Sequence, residues 1–170
     1  YVIARHLQVF GRDIQLTCVV PLRKLQGDAQ TNALTAQQAG IPMRLIDDRG
    51  MDSEPHALEI TASSVVDALL GTGSRGPLRG HYSKLVSMAN AHPGMRFAID
   101  IPTGLDCDTG EASDPTFHAD HTITFVATKV GFQKNNAEKF VGVVHEVDIG
   151  VPVKLLQTLT AWKPAQGSRD

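Results

Sequence analysis

Cysteine is scarce: the chain holds two in 170 residues, Cys18 in an apolar run and Cys107 in a polar turn. That excludes a disulfide framework as the source of stability. Aromatic residues make up only 5% of the chain, so the core has to be built from Val, Ile, Leu and Ala. An excess of charge of one sign is missing as well. With a formal net charge of -2, no broad cationic field gathers polyanions, which disfavours generic nucleic-acid binding and requires any phosphate site to be local. No run approaches the roughly 18 apolar residues of a spanning helix, and the opening Tyr1-Val2-Ile3-Ala4-Arg5-His6-Leu7 carries neither a basic leader nor a cleavage site. These absences lead us to expect a cytoplasmic, water-soluble protein with no membrane or nucleic-acid partner.

What is present fits a single globular domain. The hydrophobic fraction of 42% is ordinary, and a chain of this length buries roughly 70% of its unfolded surface. Val2, Ile3, Leu7 and Phe10 recur at helical spacing before Gly11, a residue suited to closing a helix. Ile14 to Val20 reads as a strand, Asp28 to Ala39 as a helix ended by Gly40 and Pro42, and Pro42 to Ile46 as a short strand before a polar stretch through Glu59. Ser63 to Leu70 is an apolar run interrupted by Asp67, of the kind that suits a strand covered on both faces. A helix over His81 to Ala91 and strands over Arg96 to Ile101, Thr122 to Ala127 and Val141 to Ile149 follow. The last two strands are joined by a loop with little helical pattern. Alternation of this kind predicts an α/β fold, a mainly parallel sheet with helices on both faces. Residues 153–170 read as a peripheral tail with at most a short helix near Val153 to Thr158.

Three segments carry chemistry. In the first, a strand empties into Gly71-Thr72-Gly73-Ser74-Arg75-Gly76-Pro77, followed by Leu78, Arg79 and Gly80. Glycines let backbone approach a ligand and free amides attract anions, so this is a candidate phosphate cradle, or otherwise a plain tight connection. Gly71, Gly73 and Gly76 satisfy G-x-G-x-x-G, but Pro77 and the delayed helix fit a dinucleotide fingerprint poorly. Asp67, among Val65, Val66, Ala68 and Leu69, must be met by loop amides or by a cation.

The second segment sets Asp100 at a strand's carboxyl end before Pro102, Thr103 and Gly104, where open α/β sheets bind ligands. That makes Asp100 the candidate acid/base. Thr103 reads as a turn hydroxyl or an ion ligand, and Asp106 and Asp108 as exposed turn residues. In the third segment, Lys129 stands where it could reach an anionic substrate or Asp100. His118 and His121 are spaced H-x-x-H, which on a strand points them to opposite faces; they read as surface or loop histidines. No G-x-S-x-G and no cysteine paired with a base is present, so nucleophilic hydrolysis has little support.

Taken together, Val66-Asp67-Ala68-Leu69-Leu70-Gly71-Thr72-Gly73, Ala98-Ile99-Asp100-Ile101-Pro102-Thr103-Gly104-Leu105-Asp106 and Val147-Asp148-Ile149-Gly150-Val151-Pro152 resemble the NAD(P)H-hydrate epimerase family. The resemblance runs from Ala4-Arg5-His6-Leu7 through Leu25-Gln26-Gly27-Asp28 to Pro152. It implies a Rossmann-like three-layer αβα sandwich, a potassium ion, a homodimer, and interconversion of the two epimers of hydrated NADH or NADPH. By the same resemblance, potassium ligands fall on Asp67 and Thr103, with threonine in place of the usual serine. The substrate loop falls on Gly71 to Pro77 and the substrate-contacting aspartate is Asp100. Family members also carry an asparagine- and glycine-rich loop directly before the helix that opens here at Tyr1, which this sequence does not show. Two other readings compete: a non-catalytic interaction module of the same fold, as in mRNA-decapping scaffolds, and an NAD-dependent oxidoreductase using the glycine motif as a fingerprint.

Overall fold

The computed structural model describes residues 1–46, 60, 62–152 and 154–155. The polar stretch before Glu59 and most of the tail helix expected near Val153 to Thr158 lie outside them. Backbone proximity divides the chain into two compact units, Tyr1–Glu59 and Ile60–Asp170.

In the first unit, helix α1 (Val2–Val9) is followed by strand β1 (Leu16–Cys18), helix α2 (Gly27–Gln38) and strand β2 (Met43–Leu45). β1 and β2 pair in parallel, Leu16 with Met43 and Cys18 with Leu45. α2 draws its helix propensity from its Ala, Gln and Leu residues, and its inner face is made of Ala33 and Ala36, both fully buried. Small side chains there allow close packing, and Ala4, Ala36 and Ile41 form the core with Tyr1, Ile14 and Leu16 against them. Gly40, with φ +73°, adopts the left-handed conformation that ends the helix.

The second unit is a four-stranded parallel sheet in the order β3-β4-β5-β6, with β3 Ser64–Asp67, β4 Met95–Ile99, β5 His121–Phe125 and β6 Val143–Val147. The register sets Asp67 beside Ala98 and Ala98 beside Thr122, one row of side chains sharing a face. Helix α3 (His81–Ala91) covers that face: Val86 and Ala89 pack with Ala98, Phe117 and Ala119, and Val65 and Leu69 join them. Burying Phe117 completely contributes on the order of 2–3 kcal/mol.

A second cluster, Ile101, Leu105, Phe132, Ala137, Phe140 and Val141, packs the loops beyond the strand ends. It includes a 3-10 turn, Val130–Gln133, and the one-turn helix α4 (Glu138–Val141). The α/β class and parallel pairing are as the alternation predicts. β3 departs from the expectation of cover on both faces, because α3 packs on the Val65 side while Val66 keeps 42% of its surface. No helix among the described residues is long and apolar enough to cross a membrane.

Candidate active site

The two aspartates singled out by sequence emerge from neighbouring parallel strands at the same sheet edge. Asp67 ends β3; Asp100 follows β4 directly. Asp67 is almost fully buried at 3% exposure, and the desolvation of its carboxylate is met by three donors. Thr103 donates its amide to Oδ2 and its hydroxyl to Oδ1, each at 2.7 Å, and the Leu69 amide donates to Oδ1 at 3.1 Å. Burial is the dominant influence and pushes the Asp67 carboxyl above its ordinary value, while these hydrogen bonds pull it back. The Thr103 hydroxyl also accepts from the Leu70 amide at 3.3 Å. The strand end, the entrance of the glycine loop and the turn after Asp100 are thereby knitted into one network.

Asp100 is held differently. It sits at φ +67°, a left-handed conformation uncommon for a residue with a side chain, and keeps 23% side-chain exposure. Its Oδ1 accepts from the Phe125 amide at 3.1 Å and the Thr124 hydroxyl at 3.2 Å, and pairs with Lys129 Nζ at 2.7 Å. Among the described residues no donor reaches Oδ2. One carboxylate oxygen is anchored and the other is available, the arrangement a general acid/base needs.

The glycine loop lines a cleft of about 300 Å³. Ser74 to Pro77 form one wall; Gly104 to Asp106 and Glu111 to Asp114 form the other. Ser113 donates to the Gly76 carbonyl at 2.9 Å across it. Arg75, the expected anion ligand, is 65% exposed and pairs with Asp108 at 2.5 Å and more distantly with Asp106 at 3.9 Å. Asp108 is exposed as expected of a turn residue, but Asp106 keeps only 15% of its side-chain surface. Its carboxylate accepts from the amides of Asp108 and Thr109 in its own turn. Those bonds, Thr109's first, hold the Asp106 carboxyl below the usual carboxylate range.

Lys129 lines a second cleft of about 300 Å³ together with Cys107, Asp108 and Phe125 to Thr128. Of the two targets the sequence offers it, the structure pairs it with Asp100. Burial, and then the charge of Asp108, push the Cys107 thiol up, away from the thiolate a nucleophile requires. Of the two histidines, His118 is exposed, whereas His121 belongs to β5 and bonds His145 at 3.0 Å while stacking on Phe97. It is a sheet residue, not a loop residue.

Sequence reasoning missed Thr124 and the amides of Leu69 and Phe125. Thr124 carried a signal: a threonine on the inward row of an apolar strand requires a buried acceptor, here Asp100.

The parallel sheet, with a glycine-rich turn and two acidic side chains gathered at its carboxyl edge, defines an open α/β domain with its site at the strand ends. Comparison with known proteins places it further. The chain belongs to the family described as YjeF-related protein N-terminus, which it matches over residues 1–131. It is 46% identical over 157 residues to the NAD(P)H-hydrate epimerase of Rhodopirellula baltica, covering 92% of this chain and 63% of that one. It is 37% identical to the NAD(P)H-hydrate epimerase of Pirellula staleyi, covering 95% and 71%, and 39% identical to the bifunctional NAD(P)H-hydrate repair enzyme of Leishmania braziliensis, covering 89% and 26%. The chain thus spans less than two thirds of the Rhodopirellula relative and about a quarter of the Leishmania one. Among solved structures, yeast ynu0 superposes with a TM-score of 0.74 at 18% identity, over 99% of this chain and 68% of that one, a likeness of fold.

Proposed function

We propose that this chain interconverts the R and S forms of hydrated NADH and NADPH. The observation that carries the reading is the asymmetric Asp100 carboxylate, with three partners on Oδ1 and, among the described residues, no donor on Oδ2, at the sheet edge where the glycine loop begins. The names of the Rhodopirellula and Pirellula relatives support it.

In the hydrate, the damaged ring carbon bears a hydroxyl beside the ring nitrogen. A proton reaches that hydroxyl by way of Asp100 Oδ2, the C–O bond breaks, water leaves, and the nitrogen lone pair forms an iminium. Water then adds to the opposite face and returns a proton to the carboxylate. No electrons are exchanged, so the dinucleotide is substrate and not redox cofactor. The loop Gly71, Thr72, Gly73, Ser74, Arg75, Gly76 and Pro77 would hold the pyrophosphate, and that binding energy fixes the ring over Asp100. Arg75 would exchange Asp108 for the phosphate oxygens.

We propose a potassium ion beside this centre. Asp67 and Thr103 offer hard oxygen donors. The two Asp67 oxygens accept three hydrogen bonds of about four their lone pairs allow, and the Thr103 hydroxyl retains an acceptor position. Among the described residues no three His, Cys, Asp or Glu side chains converge as metal ligands, so carbonyl or hydroxyl oxygens would complete the shell. When bound, the cation supplies positive charge to a carboxylate that burial disfavours. The family resemblance adds a homodimer to the reading. Following the two epimers by chromatography, with potassium and with sodium in its place, tests it: catalysed interconversion that weakens without potassium is expected, and no catalysed interconversion in either salt would refute the assignment.

A further inference from the structure

Lys129 is 18% exposed, and its ammonium has three acceptors. Asp100 Oδ1 lies at 2.7 Å, the Phe125 carbonyl at 3.0 Å and the Ala127 carbonyl at 3.4 Å. An ammonium has three protons, so none is left over for a phosphate. The acceptors owe their convergence to two matching backbone distortions. Asp100 (φ +67°) centres a three-residue turn closed by the Ile101 amide on the Ile99 carbonyl at 2.9 Å. Val126 (φ +70°) centres an identical turn, closed by the Ala127 amide on the Phe125 carbonyl at 2.8 Å.

Such γ-turns are rare, and a β-branched valine at positive φ is a true outlier. Each is strained and persists only where the surroundings over-determine it. Here they end adjacent strands, the Phe125 amide bonding the Asp100 carboxylate between them. Lys129 is itself braced on both sides. Thr128 bonds Glu146 through its amide at 2.7 Å and through its hydroxyl, and the Gly131 amide bonds the Cys107 carbonyl at 2.7 Å.

We propose that Lys129 is a positioning residue that locks the two turns together and pins Oδ1 of Asp100, so that Oδ2 alone is presented to the substrate. The proposal rests on the epimerase reading and goes beyond it by assigning Lys129 to the carboxylate and not to the substrate's phosphates. Without the ammonium, Oδ1 keeps only the Phe125 amide and the Thr124 hydroxyl, the hold on the carboxylate loosens, and productive geometry becomes one of several.

The test is Lys129→Met compared with the unaltered chain for epimer interconversion. A fall in kcat of about 10–100-fold, the size expected of a misplaced catalytic group, with KM changed less than about threefold, is the predicted result. A risen KM with kcat held would make Lys129 a substrate ligand and overturn the proposal, as would unchanged kinetics. Should the methionine variant fail to fold, Lys129→Arg keeps the charge but misplaces it, and the same split is read there. Crystal structures give a readout that needs no turnover: the variant should show the Asp100 carboxylate in more than one orientation, and a single native orientation would overturn the proposal. If the unaltered chain does not epimerise the hydrates, the epimerase reading fails, and the positioning claim is then decided by that carboxylate alone.

Discussion

Thr103 meets Asp67 with two different atoms, its amide on Oδ2 and its hydroxyl on Oδ1, both at 2.7 Å. The contact joins residues 36 apart in sequence and fastens the turn after Asp100 to the end of β3. Asp100 therefore inherits its place from a buried neighbour that need not itself react.

Thr103→Val should cost about 1–3 kcal/mol of stability, because it removes a donor from a buried carboxylate and an acceptor from the Leu70 amide. Thr103→Ser, which keeps the oxygen, should lose less. Since the folded Asp67 carboxyl is raised, its contribution to stability is fully present in acid, below the ordinary carboxylate range. It is lost as pH climbs through the raised value. Losing the hydroxyl raises it further, so the Thr103→Val deficit should be larger at neutral pH than near pH 4. Urea unfolding at the two pH values checks both statements.

The Arg96–Asp120 pair gives the opposite dependence. Arg96, through its side chain and then its amide, holds the Asp120 carboxyl below its ordinary value. That stabilisation is present above the ordinary carboxylate range and is lost as pH falls through the lowered value. The pair is partly exposed, at 23% and 40%. Arg96→Gln should therefore cost only about 0.5–1 kcal/mol at pH 7 and almost nothing once the pH has fallen below the lowered value, read by denaturant midpoints.

Gly131 has no room for a side chain: a Cβ there would lie 2.5 Å from the Asp106 carbonyl and 2.7 Å from that of Cys107. Gly131→Ala should push the Lys129 segment off the neighbouring loop and cost about 1–3 kcal/mol. A lowered Tm, together with a lowered kcat, is the expected outcome.

Arg75 tests the phosphate role of the glycine loop. Arg75→Ala should raise KM for the hydrates about tenfold, with kcat little changed, as for uniform binding. Asp108→Ala, which removes the nearer of the two carboxylates paired with Arg75, should lower KM. Steady-state kinetics on the two variants separate binding from chemistry.

Much of this arrangement was legible in the residues. The helix read over His81 to Ala91 forms with those bounds, because its apolar spacing is clean and Gly80 opens it. The strands form within one to three residues of their expected ends, Ser63 to Leu70 losing three at its carboxyl end because the chain leaves the sheet at Asp67 to begin the glycine turn. That Asp67 and Asp100 share an edge followed from parallel alternation alone. Two features were not legible: the Thr103 bonds to Asp67 and the His121–His145 pair. Each depends on register between distant segments, and the left-handed turns at Asp100 and Val126 occupy residues whose types give no local reason for them.

The central claim is that the free oxygen of Asp100 moves the proton, and Asp100→Asn tests it most directly. Epimer ratios followed over time by chromatography, beside a direct measurement of hydrate binding, should show binding within about threefold of the unaltered chain and turnover reduced by at least ~100-fold. Turnover that survives the substitution would contradict the account.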